Sequence, residues 1–167
     1  VVLRVSSGGG ALSEIQKISD EIHFNYKKRF RVVAWIESAI SAAAMSSLCI
    51  EEIYFTPVGN FGACTGWSGD LVAVKGAQLE QVLGMMRGIS ARGGYNPLIM
   101  RSMQIQDPLS CTIDENGQVN WYPDAVSGKI IVNREHEILT FNERTAKDVG
   151  FSKGTASTIG ELQTLMG

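Results

Sequence analysis

The fold is decided by residues 34–44, whose sequence is Ala-Trp-Ile-Glu-Ser-Ala-Ile-Ser-Ala-Ala-Ala. The first half is apolar and bulky enough for a buried strand, and the second half is small enough for a closely packed helix. Ser41 falls at the junction between the two halves. The first N–H groups of a helix have no partner within it, so we expect the Ser41 hydroxyl to lie beside unpaired N–H groups.

A glycine-rich turn comes earlier in the chain. Residues 1–5 are apolar and β-branched, as in a buried strand, and Ser6-Ser7-Gly8-Gly9-Gly10-Ala11 follows them. Glycines in such a turn leave backbone N–H groups accessible. Either motif alone is more often an ordinary turn or a tightly packed helix. Their order on consecutive strand-helix units predicts two halves of one site.

The first third of the chain alternates between strand and helix patterns. Apolar residues recur at helical spacing from Leu12 to Ile22, and further strands are predicted at residues 31–36 and 52–56, with a helix at 41–48 between them. This order predicts an α/β fold with a parallel sheet and right-handed crossovers. Functional groups gather at the carboxyl ends of such strands, where the glycine turn and Ser41 both fall.

The rest of the chain is predicted to continue one domain over residues 1–167. Helices are expected at 79–89, from Asn96, from Asn142 to Val149 and at 158–166. Asn116-Gly117 predicts a hairpin that joins strands at 109–113 and 118–122. A second short pair of strands is predicted at 129–132 and 137–141.

The composition is that of an ordinary soluble globular protein. Hydrophobic residues make up 44%, charged residues 19%, and the net charge is −2. The chain has no excess of basic residues, which would have indicated a nucleic-acid partner. The apolar run at residues 32–50 is long enough for a bilayer, but Glu37 and several serines interrupt it, so a strand and a buried helix are expected.

Metal and cofactor chemistry are not expected. The three cysteines, Cys49, Cys64 and Cys111, lack metal-ligand spacing and are predicted to be buried free thiols. The two histidines, His23 and His136, lie far apart among charged neighbours and are predicted to be on the surface.

These motifs resemble the Clp protease/crotonase superfamily, and most closely its membrane-associated serine peptidases: signal peptide peptidase A and the NfeD-linked peptidases of stomatin operons. Residues 2–11 resemble the family's strand and Asn-Ser-Pro-Gly-Gly turn, and Ser41-Ala42-Ala43 its nucleophile box. Residues 53–63 and 137–151 resemble its next strand and its closing element. The resemblance implies a Clp protease/crotonase-like fold. The family's first strand would precede Val1, so the chain is expected to be a fragment of a longer one.

The resemblance also implies roles for three residues. Ser41 is the nucleophile, and Gly9 and Ala42 supply the backbone N–H groups of an oxyanion hole. Acyl transfer places negative charge on the carbonyl oxygen, and the loss of one donor from such a hole typically costs about 10²–10³ in rate.

The general base departs from the family pattern. Clp-type members use a histidine, which is missing from the corresponding region, and the membrane branch uses a lysine. Arg87 falls where that lysine is expected, and arginine cannot release a proton near neutral pH. Lys75 is the only lysine between Ser41 and Lys129. It is a candidate base, and the alternative is a solvated loop lysine.

Three functions stay open. The first is a serine endopeptidase that cleaves peptides or membrane-protein fragments, and the second is a catalytically weak or inactive relative that serves as an oligomeric scaffold or binds peptides. The third is a crotonase-type enzyme that binds acyl-coenzyme A, although alanines rather than glycines after Ser41 favour the peptidase branch.

The resemblance carries further expectations about assembly and location. It implies a homo-oligomer, an expectation to which the methionines around Met85-Met86, with Met100 and Met103, also contribute. It also implies a periplasmic or membrane-associated location, with any membrane anchor outside these residues.

Overall fold

A computed structural model describes residues 1–67 and 72–167. The strands are β1 (Val2–Ser7), β2 (Val33–Ile40), β3 (Glu52–Phe55), β4 (Asn60–Gly62), β5 (Leu109–Ile113), β6 (Val119–Tyr122), β7 (Ile130–Asn133) and β8 (Thr140–Asn142). The helices are α1 (Leu12–Asp20), α2 (Ala42–Ser47), α3 (Gly76–Gly93), α4 (Pro97–Gln104), α5 (Glu143–Asp148) and α6 (Ile159–Met166).

The main sheet is parallel around β2, which confirms the predicted fold class. β1 pairs with one edge of β2, while β3 and β4 follow one another along its other edge. The predicted sheet gains one antiparallel strand, because β8 pairs with β4 in the opposite direction. The register of β1 and β2 places Ser7 opposite Ala39, so the glycine turn begins level with the end of β2.

The apolar sequence of β2 is explained by burial on both faces of the sheet. Ala34 and Ile36 belong to the main core, whereas Val33 and Trp35 pack in a second cluster with Leu162 of α6. A strand covered on both faces shows a continuous apolar run rather than an alternating one. Residues 32–50 therefore form a strand and a buried helix, as predicted. Across the described ranges, no helix combines the length and the apolar character that a membrane span requires.

The predicted pairing of residues 129–132 with 137–141 is wrong. β7 pairs with β5, which also forms the predicted hairpin with β6, and β8 pairs with β4 of the main sheet. The side-chain amide of Asn133 donates to the carbonyl oxygens of Asp107 and Glu137, both at 2.8 Å. These bonds fold residues 134–139 into a connection between the two sheets, and local sequence patterns do not encode such long-range partners.

The methionines that contributed to the oligomer prediction belong to the core of a single chain. Met86, Met100 and Met103 are buried, and Met85 packs against the same core. Packing within the chain therefore accounts for them, and the expected homo-oligomer rests on the family resemblance alone.

Lys27 connects the end of the first helical segment to the residues after α2 and to the end of α3. It does so at the end of the sheet opposite the glycine turn. Helix α1 continues into a π-helical turn, Glu21–Tyr26, and Lys27 is the C-cap of that turn. The Lys27 ammonium donates to the carbonyl oxygens of Cys49 at 2.9 Å and Arg92 at 3.1 Å, and it lies 2.6 Å from the carboxylate of Glu51. Only 14% of its side chain is exposed. A cation so placed satisfies carbonyl groups that follow α2 and end α3.

We expect Lys27→Met to lower the free energy of unfolding by about 2 kcal/mol, because it leaves charge-assisted hydrogen bonds unmade at partly buried carbonyls. Lys28→Met is the matched control, since Lys28 is exposed and has no ion pair in the described residues. Urea denaturation of both variants makes the measurement. Equal effects of the two substitutions would contradict the role given to Lys27.

Candidate active site

Ser41 lies on a strained turn between β2 and α2. Its backbone has φ 58° and ψ −125°, which a residue with a side chain rarely adopts. The Ser41 N–H donates to the carbonyl oxygen of Gly62 at 2.9 Å, and its own carbonyl accepts from the N–H of Met45 at 3.0 Å. The strand β4 on one side and the first turn of α2 on the other therefore hold this conformation.

The glycine turn contacts the Ser41 side chain. A Cβ atom added to Gly9 would lie 2.9 Å from Cβ and 3.4 Å from Oγ of Ser41. Gly9 also has φ 122°, a conformation that favours glycine. The structure thus brings together two of the residues singled out in the sequence, and it explains why the position next to the serine has no side chain.

The N–H groups around Ser41 differ in their availability. The Gly9 N–H donates to Oγ of Ser7 at 3.2 Å. The N–H groups of Gly10 and Ala42 donate to no group in residues 1–67 and 72–167. Both residues line one cleft of 420 Å³ beside β1, α1 and α2. Sequence reasoning named Gly9 and Ala42, and the structure adds Gly10, which only its place in the glycine triplet could have indicated.

No described side chain activates the Ser41 hydroxyl in this structure. Within the described ranges, Oγ of Ser41 makes no hydrogen bond, and the residues that line the cleft include neither lysine nor histidine. The charged residues of the cleft are engaged elsewhere: Arg4 with Glu37 at 2.8 Å, and Glu14 with Lys17 at 2.9 Å. The hydrogen bond from Lys17 lowers the pKa of Glu14.

Lys75 borders a different cavity from the cleft that Gly10 and Ala42 line. It is exposed, immediately precedes α3, and lines a cavity of 460 Å³ together with Thr65 and Gly66. The thiol of Cys64, which precedes Thr65, lies 3.5 Å from the carbonyl oxygen of Ser41. The Val74 N–H donates to the Gly66 carbonyl oxygen at 2.9 Å.

Arg87 lies in a different place. It is exposed on α3 and lines a groove of 160 Å³ between α3 and α4, with Leu83, Leu98 and Gln104. Arg87 is not among the described residues that line the cleft beside Ser41.

Cys64 is close to Ser41 but is not a competing nucleophile. Its side chain is fully buried, and burial raises the pKa of its thiol well above the ordinary value. The thiolate is the reactive form of cysteine, so a neutral buried thiol is inert. Cys49 and Cys111 are also buried free thiols, as predicted. In the described part of the chain, no group of three histidine, cysteine or acidic residues could hold a metal ion.

Comparison with known proteins supports the fold and goes no further. No protein-family model matches the chain, and no curated protein matches its sequence. Two solved structures of the 1510-N membrane-bound stomatin-specific protease share its fold, both with a TM-score of 0.67. One is a lysine-to-alanine variant in complex with a substrate peptide, at 16% identity over 96% of this chain and 62% of that chain. The other is a serine-to-alanine variant, at 15% identity over 98% of this chain and 67% of that chain.

The chain therefore spans about two thirds of the solved structures that it resembles. At 15–16% identity, the likeness establishes a Clp protease-like α/β fold. The roles of Ser41, Gly9, Ala42, Lys75 and Arg87 stay predictions.

We expect Gly9→Ala to lower the free energy of unfolding by about 1–3 kcal/mol, because the added methyl group meets Ser41 and φ is unsuited to a side chain. Gly8→Ala is the control, since a Cβ at Gly8 has open space around it. Chemical denaturation compares the two variants. If Gly9→Ala left the free energy of unfolding unchanged, the glycine turn and Ser41 would lie further apart than this structure places them.

Proposed function

We propose that this chain is a serine peptidase domain with Ser41 as its nucleophile. One observation carries the proposal: a serine hydroxyl without a hydrogen bond in the described structure, held on a strained strand-to-helix turn, contacts a glycine that leaves room beside it. Strained backbone of this kind clusters at functional sites. The fold neighbours support peptide substrates, since both are named as proteases and one holds a substrate peptide.

The proposed chemistry is acyl transfer. Oγ of Ser41 attacks the carbonyl carbon of the scissile peptide bond, and its proton passes to a base and then to the leaving amine. The Ala42 N–H, at the start of α2, is one donor to the oxyanion that forms. We assign the second donor to Gly10, because its N–H is free, whereas the Gly9 N–H is engaged with Ser7.

Lys75 is the base that we propose. The two fold neighbours carry substitutions of a lysine and of a serine, and Lys75 is the only lysine between Ser41 and Lys129. Its ammonium has no ion pair or hydrogen bond in the described residues, so it is free to move. As a base, the Lys75 amine would take the proton that Oγ of Ser41 releases.

An inactive, peptide-binding relative is the second candidate. The observation that favours it is the lack of lysine and histidine among the described residues that line the cleft beside Gly9, Gly10 and Ala42. In that case the cleft and the glycine turn bind an extended peptide without cleaving it.

We expect Ser41→Ala to abolish both peptide cleavage and fluorophosphonate labelling, and Lys75→Ala to lower the labelling rate by about 10²–10⁴, the usual contribution of a general base. Arg87→Ala is the control, since Arg87 lines a separate groove. Unlabelled wild-type protein would favour the peptide-binding relative, and cleavage that survives Ser41→Ala would exclude the serine-peptidase proposal.

Ser7→Ala distinguishes the two glycine donors. We expect it to leave the labelling rate unchanged, because the Gly10 N–H is free whether or not Ser7 holds Gly9. A faster rate would mean that Ser7→Ala released the working donor, which would then be Gly9. The rate constant for fluorophosphonate labelling measures this directly.

A further inference from the structure

His23 lies in the π-helical turn with one of its two ring nitrogens buried. His136 is exposed, as predicted, whereas His23 is only partly exposed. The Nδ1 atom of His23 is buried and has no hydrogen-bond partner in the described structure. No hydrogen bond of the described residues uses Nε2, and this atom is not among the buried unpaired ones, so it faces solvent. The two nitrogens of one ring therefore have opposite surroundings.

These surroundings suit the neutral ring of His23 and not the charged one. A neutral imidazole that carries its proton on Nε2 can donate to water and presents Nδ1 only as an acceptor. In the protonated ring both nitrogens are donors. Nδ1 would then be a buried N–H group without an acceptor, and a buried donor without a partner destabilises the fold. The geometry thus opposes protonation at this position.

The charges around the ring oppose protonation too. They come from α1, from the residues after the π-helical turn, from the residues after α2 and from α3: Asp20, Lys27, Lys28, Glu51 and Arg92. Each of the two carboxylates already pairs with a cation, Asp20 with Arg92 at 2.7 Å and Glu51 with Lys27 at 2.6 Å. Lys28 leaves these surroundings with a net positive charge. Burial, followed by the charges of Lys27 and Arg92, lowers the pKa of His23.

The segment that carries His23 connects to the rest of the fold through Lys27. The Lys27 ammonium donates to carbonyl groups after α2 and at the end of α3, and the Lys27 N–H donates to the carbonyl oxygen of Ile22 at 2.9 Å. Ile22 lines the 420 Å³ cleft. A change at His23 therefore acts on a residue in the wall of that cleft.

We propose that His23 is an acid-sensitive switch that holds the π-helical turn against the ends of α2 and α3 at neutral pH. When the ring takes up a proton, the buried N–H and the positive charge added beside Lys27 and Arg92 release the turn. The wall of the cleft that Ile22 forms is released with it. The switch is a property of the fold and stands whether or not the cleft belongs to a peptidase.

The direction of the effect follows from the lowered pKa of His23. An unfolded chain binds the proton near the ordinary histidine pKa of about 6.5, and the folded chain binds it only at lower pH. The contribution to stability is therefore complete above that pH and is lost as the pH falls towards the pKa of the folded chain. Asp20, whose pKa is lowered by its hydrogen bond from Arg92, also loses stability in acid. The test must therefore separate His23 from the carboxylates.

The first measurement uses the unaltered chain. Proton NMR follows the His23 ring against pH in the folded protein and in a synthetic peptide of residues 20–26, with His136→Gln to assign the signal. We expect His23 to titrate at lower pH in the protein than in the peptide. Titration at the same pH, or at higher pH, would overturn the proposal, and this result does not depend on whether any variant of His23 folds.

The second measurement locates the opening by amide hydrogen exchange. Between about pH 7.5 and about pH 5, we expect the protection factor of the Lys27 amide to fall at least about threefold, while the amides of β2 keep their protection. His23→Gln, which has no titrating group, should abolish this fall. His136→Gln is the matched control and should retain it, because His136 is exposed. An equal fall in His23→Gln and wild type would overturn the switch, as would an equal loss of protection in β2.

Discussion

The candidate site depends on one constraint, the strained backbone of Ser41, with φ 58° and ψ −125°. A non-glycine residue in such a conformation costs about 1–3 kcal/mol and persists only when its surroundings hold it there. Here the N–H of Ser41 is bound to β4 through Gly62, and its carbonyl is bound to the first turn of α2. The turn changes the direction of the chain sharply between β2 and α2, so the side chain of Ser41 lies beside Gly9 and the unpaired N–H of Ala42 adjoins it.

The parallel pairing of β1 and β2 places the glycine turn, the second half of the site, beside Ser41. Since Ser7 lies opposite Ala39, the glycines that follow are level with Ser41 and Ala42. A Cβ at Gly9 would not fit at this separation. Strand β2 is buried on both faces, by the main core on one side and by a cluster of Trp35 with Leu162 of α6 on the other. The site thus combines the packing of β2 with the glycine turn that follows β1.

Sequence reasoning succeeded where the information is local. Apolar runs, helix caps and the Asn-Gly turn predicted most elements, and the order of strands and helices predicted that Gly9 and Ser41 belong to adjacent strand ends. It failed where partners are distant in the chain, as for β7 and β8. Lys75 and Arg87 are both cations, so their residue type alone does not separate them. Only the fold shows that they line different cavities.

The central claim is that Ser41 and the amides around it form an acyl-transfer site. A crystal structure of the chain after reaction with a fluorophosphonate tests this most directly. The account predicts phosphorus bonded to Oγ of Ser41, a phosphonyl oxygen within hydrogen-bond distance of the Ala42 and Gly10 N–H groups, and Nζ of Lys75 close to Oγ. A phosphonyl oxygen that points into solvent, or an adduct on another residue, would contradict it.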